Sequence, residues 1–181
     1  MSIQASVSTD EALKSTGFRS EGATSGLIEF ISFSIGDDQY GVAIMSVREI
    51  KGWSSVTHLP KQPHYVRGVL NLRGVMVPII DLRCRFGQGL TEATAMHVVI
   101  IVQIEDRLVG LLADRVLDIV SYEGSKIQPV PRMNGVADGF FLSGLITIDE
   151  AMIAVIDLQH LLNAKIDVSA ARNDSPMAMS A

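Results

Sequence analysis

The apolar residues of this chain come in short runs that alternate with polar ones and are rich in β-branched side chains, a pattern suited to pleated, half-buried strands. Leu27 to Ile35 reads L-I-E-F-I-S-F-S-I, and Gly36-Asp37-Asp38 supplies the turn into Gln39 to Ile44. Val69 to Leu72 and Val75 to Ile80 form a second hairpin around Arg73-Gly74. His97 to Ile104 and Leu108 to Ala113 form a third, turning at Glu105 to Arg107. Leu145 to Ile148 and Ala151 to Ile156 form a fourth around Asp149-Glu150. Two short helices are predicted at Asp81 to Phe86 and Asp157 to Leu162, each opened by an aspartate able to cap an N-terminus.

The two halves repeat. Shifted by 76 residues, RGVLNLRGVMVPIIDL (67–82) lies on SGLITIDEAMIAVIDL (143–158) with five of sixteen positions identical. DQYGVAIMSVREI (38–50) lies on DRLVGLLADRVLDI (106–119) once one residue is allowed in the turn, pairing Gly41 with Gly110, Val47 with Val116, Glu49 with Asp118 and Ile50 with Ile119. A duplicated β unit of about five strands and a closing helix predicts two small barrels, since closure removes exposed sheet edges. It also predicts a groove between the copies, lined by equivalent residues of each.

Composition sets the limits of the fold. Residues 1–26 hold three Ile, Leu or Val, residues 164–181 hold two, and the 137 between them hold 47. The ends cannot offset their own ordering by burial, so flexible tails are expected around a domain at 27–163, divided near 95 into two subdomains with possible strand exchange. A formal charge of -5 with no basic run argues against nucleic acid or an anionic lipid surface as partner. A lone cysteine, Cys84, and no signal-peptide pattern point to the cytoplasm. Apolar runs such as Val98 to Val102 fall far short of the ~20 residues of a spanning helix, so no membrane insertion is expected.

No reactive constellation appears. His58, His64, His97 and His160 have no ligand spacing, so no metal is expected. Cys84 lies between Arg83 and Arg85, which would lower its pKa if it were exposed, yet no second thiol accompanies it. There is no nucleophile elbow, phosphate-binding loop or dinucleotide fingerprint, and Gly87-Gln88-Gly89 follows a helix rather than a strand. The reading is a protein that is not an enzyme and needs no cofactor.

What stands out is Gly68-Val69-Leu70-Asn71-Leu72-Arg73-Gly74, followed by Pro78 and Asp81-Leu82, and preceded by Tyr40-Gly41-Val42 with Val47, Glu49 and Ile50. Together with Leu59-Pro60, Pro63 and Gly110 to Val116, these residues resemble the CheW-type chemotaxis coupling proteins over the whole of 27–163. The resemblance implies a mainly β fold of two pseudosymmetric, five-stranded, SH3-like barrels with short helices. It implies a non-catalytic adaptor that binds the cytoplasmic tip of methyl-accepting chemoreceptors and the regulatory domain of a CheA-type histidine kinase, recruited to membrane receptor arrays.

By the same resemblance the receptor groove uses Ile31, Ile44, Val47, Glu49, Arg73 and Val116, an apolar surface suited to a helical hairpin. Core packing is an equal reading of Ile31 and Ile44. Glu49 and Arg73 form an ion pair of intermediate burial that fixes the strands flanking the groove. The segment Lys126 to Met133 corresponds to a kinase-facing region, with Gln128 and Met133 as contacts. A chemosensory-like pathway for pili, development or second messengers would use the same parts. A nucleic-acid-binding barrel would need stacking aromatics among basic residues, and only 6% of the chain is aromatic.

Overall fold

The computed structural model describes residues 26–131 and 141–163. The expectations for the two tails and for Met133 concern residues outside that set. Ten strands carry the fold: β1 (Leu27–Ile35), β2 (Asp38–Ala43), β3 (Val47–Gly52), β4 (Val66–Leu72), β5 (Val75–Asp81), β6 (Val98–Ile104), β7 (Arg107–Ala113), β8 (Arg115–Glu123), β9 (Leu142–Ile148) and β10 (Ala151–Ile156). Helix α1 (Leu82–Arg85) follows β5 and α2 (Leu158–Asn163) follows β10. A 3-10 turn, Ile44–Ser46, joins β2 to β3, and another, Gly124–Lys126, follows β8.

The strands form two five-stranded sheets, β8-β1-β2-β10-β9 and β3-β6-β7-β5-β4. Replacing each strand by its counterpart five places on converts one order into the other. Each sheet therefore draws strands from both halves of the chain. Parallel pairing of Ile79 with Gly110 in one sheet is matched by Val155 with Gly41 in the other. The register makes β1 to β3 equivalent to β6 to β8 at a constant offset of 69, Asp37 falling on Asp106, so the one-residue allowance made from sequence is unnecessary.

Sequence reasoning found eight of the strands and missed β3 and β8 as strands. The eight are paired with a chain neighbour through a tight turn, which leaves a local signal. β3 pairs with β6 and β8 with β1, both distant in sequence, so no turn chemistry announces them.

Three apolar clusters result. One lies within the second sheet around Leu72, Val77, Ile79, Val99, Ile101 and Leu112. Another lies within the first around Phe30, Ile146, Ile153 and Val155. The largest takes residues from both sheets, including Phe33, Val42, Ile100, Val102 and Leu111 at 0% exposure, and fastens the sheets together. Close packing at the parallel seam explains Gly110: a Cβ there would lie on Ile79 Cδ1 and 2.8 Å from Val99 Cγ1.

Both helices begin as the capping aspartates predict. Asp81 Oδ1 accepts from Cys84 N at 3.1 Å, and Asp157 Oδ1 accepts from His160 N at 2.9 Å, again 76 residues apart. Burial of Asp81 is complete, and its charge is met by the backbone and hydroxyl of Thr91 and by Arg67 at 3.6 Å.

Candidate functional site

The residues expected in the groove come from four elements that converge on the shared cluster. Ile31 of β1 is 4% exposed and belongs to that core, while Ile44 on the 3-10 turn, Val47 of β3 and Val116 of β8 are partly buried against it. Val47 stands opposite Val102 and Val116 opposite Phe33, so the two equivalent valines sit on the edge strands of different sheets.

Equivalent β-bulges shape this edge. In β3 the register slips between Val47 and Glu49, and in β8 it slips between Val116 and Asp118. A bulge adds one residue and so returns the strand to the same face three positions on, where strict alternation would need two. Ile50 then lies opposite Ile100, and Ile119 opposite Ile31, both partners being members of the shared cluster. Ile50 is 41% exposed and Ile119 54% exposed. These two isoleucines add exposed apolar surface on the strands that bear Val47 and Val116 and were not singled out from the sequence, although their pairing in the repeat was the available signal. Ser32 holds the β8 bulge closed, its buried hydroxyl donating to Asp118 O at 2.9 Å and accepting from Asp118 N at 3.1 Å.

Glu49 and Arg73 meet, Arg73 Nη2 donating to Glu49 Oε2 at 2.9 Å. Their side chains are 26% and 77% exposed, so the guanidinium is more open to water than the intermediate burial expected from sequence. Glu49 stands opposite Ile101, a residue of the cluster within its own sheet, and therefore leaves β3 on the other face from Val47. Arg73 sits in the β4-β5 turn. β3 and β4 are the two edges of their sheet, and the pair links them. The counterparts of Glu49 and Arg73 are Asp118 and Asp149, two like charges, so this link exists in one copy alone.

Gln128 forms a two-way backbone bridge with Leu145 of β9, at 2.9 and 2.8 Å, and its side chain is exposed. Thr57 makes the same bridge to Val69, the counterpart of Leu145. Met133, the other predicted kinase contact, lies outside the described residues. Cys84 is partly buried, so the lowering expected of an exposed thiol does not arise: burial, and next the nearby Asp81 carboxylate, raise its pKa above the ordinary thiol value, outweighing Arg67. Arg83, one of the neighbours expected to lower it, is instead 2.6 Å from Asp114.

No described helix is long and apolar enough to cross a membrane. The description "CheW-like domain" matches residues 29–165. The chain is 44% identical over 135 residues to a probable chemotaxis protein CheW of Rhizobium etli, covering 75% of this chain and 87% of that one. It is 42% identical over 135 residues to the chemotaxis protein CheW of Rhizobium meliloti, with the same coverages of 75% and 87%. Among solved structures, the scaffolding protein TtCheW of Thermoanaerobacter tengcongensis superposes with a TM-score of 0.70 at 33% identity, over 76% of this chain and 90% of that one. With its two five-stranded, pseudosymmetric barrels and its match along nearly the whole described chain, this protein belongs to the CheW family.

Proposed function

We propose that this protein is a non-catalytic adaptor of chemotaxis signalling, coupling methyl-accepting chemoreceptors to a CheA-type histidine kinase in a cytoplasmic, receptor-recruited array. The observation that carries the reading is the placement of Val47 and Val116, equivalent residues on the edges of different sheets, against one apolar cluster that Ile50 and Ile119 extend to the surface. A receptor tip is the end of a helical hairpin, and aliphatic anchors between two sheets suit a helix face. Ile31 and Ile44 support the groove from beneath, and Glu49 with Arg73 holds the edge strand that bears Val47. Gln128 and Met133 are assigned to the kinase.

Co-sedimentation with receptor signalling fragments and kinase tests this. Val47→Asp, which places a carboxylate in the apolar seam, should lose receptor recruitment while keeping the fold as judged by circular dichroism. Gln128→Ala should weaken kinase capture and leave receptor binding alone. Retained receptor recruitment by folded Val47→Asp would sink the groove assignment.

A further inference from the structure

Two equivalent crossovers carry the chain from one sheet to the other, and each delivers a groove valine. Asp114 alone joins β7 to β8 and precedes Val116, while the 3-10 turn Ile44–Ser46 joins β2 to β3 and precedes Val47. They are held very unequally. Asp114 N donates to Ser34 O at 3.0 Å, its Oδ2 accepts from Gly36 N at 2.7 Å and from Arg83 Nη2 at 2.6 Å, and its Oδ1 lies 3.6 Å from His97 Nε2. This crossover is thereby fastened to β1, the β1-β2 turn, α1 and the entry to β6. By the offset of 69, Met45 stands where Asp114 does, 86% exposed, and a thioether offers none of those contacts.

The strands that follow differ in the same sense. Ser32 of β1 faces Asp118 at the β8 bulge, and its buried hydroxyl serves both the N–H and the C=O of Asp118. A bulge disrupts the ladder, so this one hydroxyl does there what a ladder bond would do. At the matching place in β3, Glu49 faces Ile101, whose side chain has nothing to donate or accept. What holds β3 instead lies in water: the Arg73–Glu49 pair, and Arg48 Nε donating to Gln103 Oε1 at 2.6 Å.

We propose, on the strength of the receptor-groove reading, that Asp114 and Ser32 are positioning residues of that groove. They hold Val116 in its binding place before a receptor arrives, whereas Val47, on the loosely tethered wall, is put in place by the receptor itself. A wall fixed in advance lowers the ordering cost of binding.

Amide exchange on the full chain without receptor tests the difference between the walls. Val47, Glu49 and Ile50 should exchange on the order of tenfold faster than their counterparts Val116, Asp118 and Ile119. Ser32→Ala and Asp114→Ala should each quicken Val116 to Ile119 by about tenfold and leave Leu111, in the shared core, as it is. The same variants should bind a receptor signalling fragment about tenfold more weakly with kinase capture unchanged, and Ser32→Thr, which keeps the hydroxyl, should restore binding. Adding the fragment to the parent chain should slow exchange at Val47 to Ile50 more than at Val116 to Ile119. Equal rates in the two walls of the parent, quickened exchange at Leu111 as well, or undiminished receptor binding by a loosened β8 would overturn the proposal. Failure of the receptor-groove reading looks different: Val116→Asp would keep receptor recruitment, and the receptor-free exchange rates would still decide whether Ser32 and Asp114 fix the strand.

Discussion

Tyr65 and Phe141, the same position in the two repeats, face one guanidinium between them: Arg85 lies 4.3 Å from each ring. Arg85 also donates to Leu161 O at 3.4 Å, and Leu161 is its own counterpart in the second copy. One arginine at the end of α1 thus stands where the two copies meet, and Phe86 beside it stacks on Tyr40 at 4.9 Å.

Because a guanidinium can stack on two rings at once and an ammonium cannot, Arg85→Lys should destabilise the protein despite keeping the charge. Two partly buried cation-π contacts predict a loss of about 1 to 3 kcal/mol in urea unfolding. A loss no greater than that of an exposed control such as Arg107→Lys would show that the rings do not hold the charge.

The Glu49–Arg73 pair predicts the opposite behaviour. With Arg73 largely in water, its removal should change stability by no more than ~1 kcal/mol. Arg73→Glu is nevertheless expected to weaken receptor recruitment, since repulsion from Glu49 loosens the strand that bears Val47. Restoring attraction with the double variant Glu49→Arg, Arg73→Glu should recover part of the recruitment. Failure of the double variant to improve on both singles rejects the coupling.

Turn geometry gives a stability gain. Arg73 and Gly74 have φ of 52° and 90°, and their counterparts Asp149 and Glu150 have 46° and 71°. Both hairpins therefore use the doubly left-handed turn, where a non-glycine residue is strained. Glu150→Gly should stabilise by about 0.5 to 1 kcal/mol, the relief of strain exceeding glycine's added entropy in the unfolded chain. Thermal melts of Glu150→Gly and of the reverse change, Gly74→Glu, should move in opposite directions.

Much of this fold was legible because most strands pair with neighbours. The four hairpins, both capping aspartates and the repeat followed from turn residues and alternation alone. β3 and β8 did not, because their partners are far along the chain and each is interrupted by a bulge that breaks simple alternation. The bulges also hid Ile50 and Ile119: a period-two reading sends them to the opposite face from Val47 and Val116. The raised pKa of Cys84 was illegible for another reason. Its near neighbours in sequence are cations, but the groups that matter in space are Asp81 and the surrounding apolar atoms.

Asp157 sets a pH dependence. Burial alone would raise its pKa, but hydrogen bonds from the backbone and ring of His160 bring it below the ordinary 3.8. A folded-state pKa below the unfolded one means that the ionised group stabilises the protein above the ordinary value and that this contribution fades as pH falls through the folded value. Asp157→Asn, which can still cap α2, should therefore be less stable than the parent at neutral pH, with the difference shrinking below about pH 4. Asp157→Ala should cost about 1 kcal/mol more through loss of the cap. A difference independent of pH between 2 and 7 would assign the effect to shape rather than charge.

The exchange of β1-β2 and β6-β7 between sheets makes this single chain the topological equivalent of a domain-swapped dimer whose two protomers are fused through residues 86–97. Neither half alone can complete a barrel, since each gives two strands to the sheet in which the other half has three. Residues 27–95 and 96–163 expressed separately should each lack cooperative unfolding, and mixing them should restore it. Val47 and Val116 are then one position of the repeated unit, met twice on the edge strands of the two sheets.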